Sequence, residues 1–469
     1  GLDMSIVFGT DGWRGIIARD FTYDNLALVA TATANYIKRI GDKNPSAVIG
    51  YDTRFMSKEF AEETARVFAA QGITVHITQE ISSTPQVSFH TKQKGSVLGI
   101  VITASHNPPI YSGFKVKGRF GGPAYPEEIA EIEKELEKLG NKIPKAPAKS
   151  LDEYILERMI RPFDAQESYL RYIRKKINLD LINDSGYTVL LDAMYGAGQN
   201  ILPKVLSNVT ELHAEVNPTF GEVKHPEPIP HNLHEFLELM KTGKYDIGIA
   251  TDGDADRLGA ADNQGIFVDS QKLFILLLKY MWEVKKKRGA VVKTVSVTSM
   301  IEKYCEKHSI PLHETPVGFK YVAKYMNEEK IIVGGEESGG LGTMLHIPER
   351  DGIFNALLLI EMMATRKKTL RELCDELDEE FGPHRYMRKD VHVTPQQKKA
   401  ILAACAKGPT KIGRFPVIGS NTKDGYKFFI DNGWLLIRAS GTEPLIRFYA
   451  EAESMGKVNE LLEEGIKLS

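Results

Sequence analysis

Residues 245–259 read YDIGIATDGDADRLG, and the fold class turns on how this stretch divides. Its first half is an apolar run ending at Ala250, as a buried strand would. Its second half is a loop in which Asp252, Asp254 and Asp256 alternate with Gly253 and Ala255. The same division recurs along the chain. AVIGYD (47–52) precedes the helical pattern FAEETARVFAAQGI (60–73), and SVLGIVI (96–102) runs into TASHNPP (103–109). TVLLDA (188–193) is a further such run, and KIIVGG (330–335) stands ahead of GIFNALLLIEMMA (352–364). Strands alternating with helices predict the α/β class, with sheets covered by helices and ligand sites in the loops at strand ends.

With 469 residues the chain is too long for one hydrophobic core, so several domains are expected. EEIAEIEKELEKLG (127–140) reads as an amphipathic helix ending at Gly140, and the Pro- and Lys-rich NKIPKAPAKS (141–150) that follows marks a first boundary. A second boundary is placed after the DGDADRLG loop, and a third near EFGPHRYMRKD (380–390), where Gly382-Pro383 breaks a charged helix. The resulting units are 1–148, 149–262, 263–378 and 379–469. In the last, YKFFID (426–431) and WLLIRA (434–439) form a hairpin around Asn432-Gly433. No repeat is visible in the residues themselves, though three units of similar length allow a structural one.

The formal net charge is -2 with 26% charged residues of both signs, which argues against a nucleic-acid binder. Cys305, Cys374 and Cys405 lie far apart without a C-x-x-C pair, which excludes a disulfide framework and fits a reducing cytoplasm. The longest aliphatic stretch, LFILLL (273–278), is too short to span a bilayer, so no membrane partner is expected.

The Asp triplet can be a solvated acidic turn, but three crowded carboxylates at the end of a buried strand repel strongly, and a hard divalent cation with oxygen ligands relieves this. An EF-hand is excluded, since Arg257 and Asn263 stand where that loop needs Gly and Glu. Three Asp leave octahedral Mg²⁺ short of ligands, so a phosphate oxygen from elsewhere would complete the shell. Ser105, at the end of SVLGIVI in a loop stiffened by Pro108 and Pro109, is either an exposed nucleophile or part of a capped turn. Lys115, in SGFKVK, is either a snorkelling surface lysine or a proton carrier beside metal and phosphate. In WLLIRASGTEPLIRFYAEA (434–452), Ser440, Gly441 and Thr442 lie between Arg438 and Arg447, small residues and guanidiniums that suit one anion. VGGEESGGLG (333–342) offers Glu336 and Ser338 to a polyhydroxylated ligand, and TPVGFKY (315–321) offers Lys320. FGTDGWRG (8–15) contributes Arg14, whereas YGAGQN (195–200) lacks the third glycine of a dinucleotide fingerprint.

Five motifs in order, FGTDGWRG, TASHNPP, DGDADR, GEESGG and RASGTEP, resemble those of the α-D-phosphohexomutase family over nearly the whole chain. The resemblance implies three mixed-sheet α/β domains and a smaller C-terminal α+β domain around a central cleft. It implies that Ser105 carries a phosphoryl group and, with Asp252, Asp254 and Asp256, holds Mg²⁺. Catalytic work would then fall to Ser105, Lys115, Arg14, His106 and Arg257. Sugar and distal phosphate would be read by Lys320, Glu336, Ser338, Arg438, Ser440, Gly441, Thr442 and Arg447. The implied reaction interconverts hexose 1-phosphate and hexose 6-phosphate through a hexose 1,6-bisphosphate, by a cytoplasmic monomer or homodimer. Ser112 and Gly340 depart from common family patterns, at places where Asn and His often stand. GEESGG with TPVGFKY looks more like the glucose/mannose phosphate branch than the glucosamine branch. The alternatives are a phosphoglucosamine mutase, a sugar-phosphate binding protein without turnover, and a phosphatase.

Overall fold

The structure, a computed structural model, describes residues 6–9, 11–441 and 443–469. Thr442 therefore lies outside the described residues. The chain forms three α/β units and an antiparallel C-terminal unit, as the alternation of apolar runs requires.

The three α/β units share one strand plan. In each, a first strand (Ser46–Tyr51, Val189–Asp192, Ala290–Thr294) is flanked in parallel by a second (Thr74–Thr78, Val209–Leu212, Leu312–Thr315) and a third (Leu98–Ile102, Ile247–Thr251, Ile331–Gly335). A fourth strand (Tyr111–Gly118, Leu258–Ala261, Leu341–Thr343) then turns back antiparallel on the third. The third strand is thus buried on both sides, and its residues are apolar or small throughout. The turn from third to fourth strand carries SHNPP in the first unit, DGDADR in the second and EESGG in the third. The three motifs singled out from the sequence occupy one equivalent position, and the repeat allowed by unit length is present in the topology.

Two boundaries shift. The first sheet extends beyond residue 148, because Ile160–Phe163 pairs in parallel with Thr74–Thr78. The second extends beyond 262, because Phe267–Val268 adds an edge strand to Leu258–Ala261. One core also crosses a unit boundary. Helices Ala165–Lys176, Ser270–Lys279 and Gly352–Arg366 lie in one continuous apolar cluster that spans the second and third units. The first unit keeps its own core around Trp13, Phe21 and Phe68.

The C-terminal unit is a five-stranded antiparallel sheet with helices Pro395–Ala406 and Met455–Ile466. The expected hairpin is present, with Ile430 opposite Gly433 and Asn432 left-handed at φ 54°. Trp434, Leu436 and Tyr449 pack on Val295 of the third unit. The buried ammonium of Lys427 donates to the Val295 carbonyl at 2.7 Å.

Candidate active site

The three equivalent turns nest on one another. Each has a left-handed residue: Ser105 at φ 55°, Ala255 at 58° and Gly339 at 94°. A Cβ on Gly253 would lie 2.2 Å from the carbonyl oxygen of Ser105, so only glycine lets the second turn approach the first. A Cβ on Gly339 would lie 2.5 Å from the carbonyl oxygen of Leu258, which brings the third turn against the second.

At this junction the Ser105 hydroxyl lies 3.2 Å from Asp252 Oδ2 and 3.2 Å from Asp254 Oδ1. Ser105 is only 2% exposed, not the exposed side chain its loop suggested, and the three aspartates are fully buried with ligand oxygens within 4.8 Å of one another. The solvated-turn reading of the triplet is thereby removed. Lys115 Nζ is 2.6 Å from Asp254 Oδ2 and 3.4 Å from Asp256 Oδ2, so it does not snorkel. Burial opposes its charge, but Asp254 and then Asp256 raise its pKa overall. Burial raises Asp252 well above the usual carboxylate range, with Asp256 and Asp254 adding to it. Burial would also raise Asp254, yet Lys115 and a hydrogen bond from Thr84 hold it well below.

Arg14 donates from Nη1 to Asn107 Oδ1 at 2.6 Å, joining the edge strand Gly12–Ile16 to the serine loop. Burial, with Arg257 and Arg14 nearby, depresses His106 well below the ordinary imidazole range, and its Nδ1 is buried without a hydrogen-bond partner among the described residues. The backbone N–H of Arg257 donates to Asp252 Oδ1 at 3.2 Å. YGAGQN, discounted as a nucleotide site, is structural: Ala197 N–H donates to the Gly253 carbonyl at 2.9 Å and supports the Asp loop.

In the third turn Glu336 Oε1 accepts from Gly318 N–H at 2.7 Å, which ties the GEESGG loop to the start of helix Phe319–Glu328, where Lys320 sits. Burial pushes Glu336 up to about 7, against the pull of Arg350. Ser338 Oγ is buried without a partner. Arg438 and Arg447 are direct partners across their hairpin, and Ser440 at its tip is 8% exposed. Arg438 pairs with Asp424 at 3.2 Å, Arg447 lies 3.8 Å from Glu443, and Gly441 has open space beside its Cα. Burial raises the Glu337 pKa, against the pull of Arg388 in the C-terminal unit, Arg257 in the Asp loop and Arg438 in the C-terminal unit.

Sequence reasoning missed several residues here. Thr84 donates to Asp254 Oδ2 at 2.6 Å. Arg54 spends its guanidinium on the carbonyls of Ser105, Asn107, Pro108 and Tyr111, and so staples the serine loop from inside. Arg350 reaches Asp256 Oδ2 at 3.2 Å. Among the described residues, His106 Nδ1, Asp256 Oδ1, Arg257 Nε, Glu337 Oε2, Ser338 Oγ and Arg350 Nη2 are buried without hydrogen-bond partners. Such atoms are costly unless a ligand satisfies them.

Four domain families match in order: phosphoglucomutase/phosphomannomutase alpha/beta/alpha domains I, II and III over residues 5–142, 167–265 and 269–381, and the C-terminal domain over 393–468. The phosphoglucomutase/phosphomannomutase of Thermococcus kodakarensis is 32% identical, over 99% of this chain and 98% of that protein. The phosphoglucosamine mutase of Bacillus mycoides is 31% identical, over 96% and 95%. A solved structure from Thermus thermophilus, 32% identical, gives a TM-score of 0.87 over 99% of both chains. The open form of a Paramecium phosphoglucomutase, 21% identical, gives 0.85 over 99% and 94%, a likeness of fold.

Proposed function

The chain belongs to the phosphoglucomutase/phosphomannomutase family, and from that premise we propose that it interconverts the 1- and 6-phosphates of glucose and mannose through a phosphoserine at Ser105. The observation that carries this reading is the buried hydroxyl of Ser105, 3.2 Å from two aspartates of the triplet, with Lys115 on the same Asp254. A protein that only bound sugar phosphates would not need a nucleophile beside a cation site.

Asp252, Asp254, Asp256 and Ser105 form an all-oxygen donor set, and the unpartnered Asp256 Oδ1 fits a divalent ion such as Mg²⁺. When bound, such an ion neutralises charge on a phosphoryl group. The rest falls to the chain itself. The free hydroxyl oxygen of a hexose phosphate bonds to phosphorus as the bond from phosphorus to Ser105 Oγ breaks, giving a hexose 1,6-bisphosphate. Lys115 donates a proton to the departing Oγ and takes up the one released by the attacking hydroxyl, and the return transfer reverses both movements. Arg257 and Arg14 add positive charge around the group in transit, where positioning and charge do most of the work. Arg438, Arg447, Ser440 and Gly441 hold the distal phosphate, while Glu336 and Ser338 bond the sugar hydroxyls. The intermediate turns round, and its other phosphate passes to Ser105. Among the described residues no helix is long and apolar enough to cross a membrane, and sugar phosphates are the only partners invoked.

The test compares initial rates on glucose, mannose and glucosamine 1-phosphates with catalytic hexose 1,6-bisphosphate, and locates the phosphate by peptide mass. Faster turnover of glucose and mannose, with the added mass on Ser105, is expected. Fastest turnover of glucosamine 1-phosphate would move the assignment to a phosphoglucosamine mutase, the activity named for the Bacillus relative. Release of inorganic phosphate alone would make the protein a phosphatase.

A further inference from the structure

Glu349, Arg350, Asp351 and Gly352 are four successive buried residues, each tied to a different part of the site's walls. Glu349 Oε2 lies 3.0 Å from Lys117 Nζ and accepts from the Ser88 hydroxyl at 2.8 Å, two residues of the first unit. Asp351 accepts from the Tyr169 hydroxyl at 2.5 Å and from the Phe354 N–H, which caps helix Gly352–Arg366. Gly352 N–H donates to the Ala255 carbonyl within the Asp loop at 3.0 Å, and a Cβ there would lie 2.5 Å from the Arg257 carbonyl oxygen. The backbone on both sides of Arg350 is thus fixed.

Its side chain runs toward the metal loop. Arg350 Nη2 lies 3.2 Å from Asp256 Oδ2 and 3.8 Å from Asp11 Oδ2, ion pairs without hydrogen-bond geometry, and the guanidinium is 5.0 Å from the centre of the Phe319 ring. Lys115 approaches the same Oδ2. Both cations therefore sit on one oxygen of Asp256, and the other, Oδ1, is buried without a hydrogen-bond partner among the described residues. The path of the arginine depends on the sugar-reading turn: a Cβ on Gly340 would lie 2.6 Å from Arg350 Cδ and 3.2 Å from Cγ.

We propose that Arg350 is a positioning residue, which holds Asp256 by Oδ2 so that Oδ1 is presented to the cation shared with Asp252 and Asp254, and that glycine at 340 is what lets it reach. The identity of the reaction served rests on the function read above, but the geometry concerns the cation site itself. An arginine suits the task because it never gives up its proton. It holds a carboxylate and takes no part in acid–base exchange.

Two substitutions test this without changing charge. Arg350→Lys keeps the cation and loses the reach of the guanidinium, while Gly340→Ala keeps Arg350 and displaces its stem. Mn²⁺ alone is titrated calorimetrically into the full chain, with a thermal melt to confirm folding. Each variant is expected to bind Mn²⁺ about tenfold more weakly, the usual scale for a residue behind a metal ligand. The double variant should be no weaker than the weaker single, and in Arg350→Lys KM for the sugar phosphate at saturating cation should be unchanged. Affinities within twofold of the unaltered protein, losses that multiply in the double variant, or no Mn²⁺ binding by the unaltered protein would each overturn the proposal. Should Gly340→Ala fail to fold, Arg350→Lys decides alone. Weakened Mn²⁺ binding in a protein that turns over no hexose phosphate would leave the positioning role standing and remove the mutase reading.

Discussion

Ser105 Oγ and Asp254 Oδ1 lie 3.2 Å apart although 149 positions separate them in the chain. Their meeting joins equivalent turns of two successive α/β units, and Gly253 is what brings the turns together. Gly253→Ala must push backbone against backbone, since its Cβ would enter the space of the Ser105 carbonyl. It should cost about 1–3 kcal/mol of stability and reduce kcat about a hundredfold or more, as a misplacement near 1 Å does. A thermal melt and steady-state rates check both, and an active, equally stable variant would contradict the nesting.

Ser105→Ala removes the proposed nucleophile and little volume. It should abolish interconversion while the melting temperature stays within a few degrees of the starting protein. Residual turnover at the original rate would assign the chemistry to another group.

Lys117 and Glu349 form an ion pair in which neither side chain is exposed. Breaking one side leaves a buried charge, so Lys117→Met should destabilise by about 3–5 kcal/mol, whereas Lys117→Met with Glu349→Leu should recover most of the loss. Denaturant titration of both variants would decide. Equal damage from the single and the double change would argue that Glu349 owes its position to Ser88 instead.

Burial pushes Glu336 up to about 7 from 4.5. Between those values the unfolded chain has released this proton and the folded chain has not, so this residue makes stability fall as pH rises from about 4.5 to 7, with no further change above. The charged carboxylate is the better acceptor for sugar hydroxyls. KM for the hexose phosphate should therefore improve as pH rises through 7, and Glu336→Gln should flatten that limb. A limb that persists in the variant would belong to the substrate phosphate.

Arg438 and Arg447 face one another across their hairpin. Replacing either with Ala should weaken hexose phosphate binding by about 1.5–3 kcal/mol, the worth of a hydrogen bond to a charged group, seen mainly in KM. An effect confined to kcat would place the distal phosphate elsewhere.

Much of this site was legible in the sequence because its parts sit where local rules are strong. A buried third strand reads as an unbroken apolar run, and the polar loop behind it is conspicuous by contrast. The repeat was not legible, because the equivalent turns SHNPP, DGDADR and EESGG share position and no residue pattern. Nor were the sheet edges: IRPF (160–163) contains a proline and two exposed positions, and pairs only because Thr74–Thr78 offers it an edge. Arg350 was missed because LHIPERDG reads as an ordinary polar turn, and nothing local shows that Asp11 and Asp256 converge on it. Lys117 was passed over although it lies two residues beyond Lys115 on the same strand face, since its partner Glu349 comes from another unit.

Because each turn supplies a different ingredient, no stretch of the chain shorter than the first two units brings nucleophile and carboxylates together. A polypeptide emerging during synthesis would carry Ser105 well before Asp252, Asp254 and Asp256 exist.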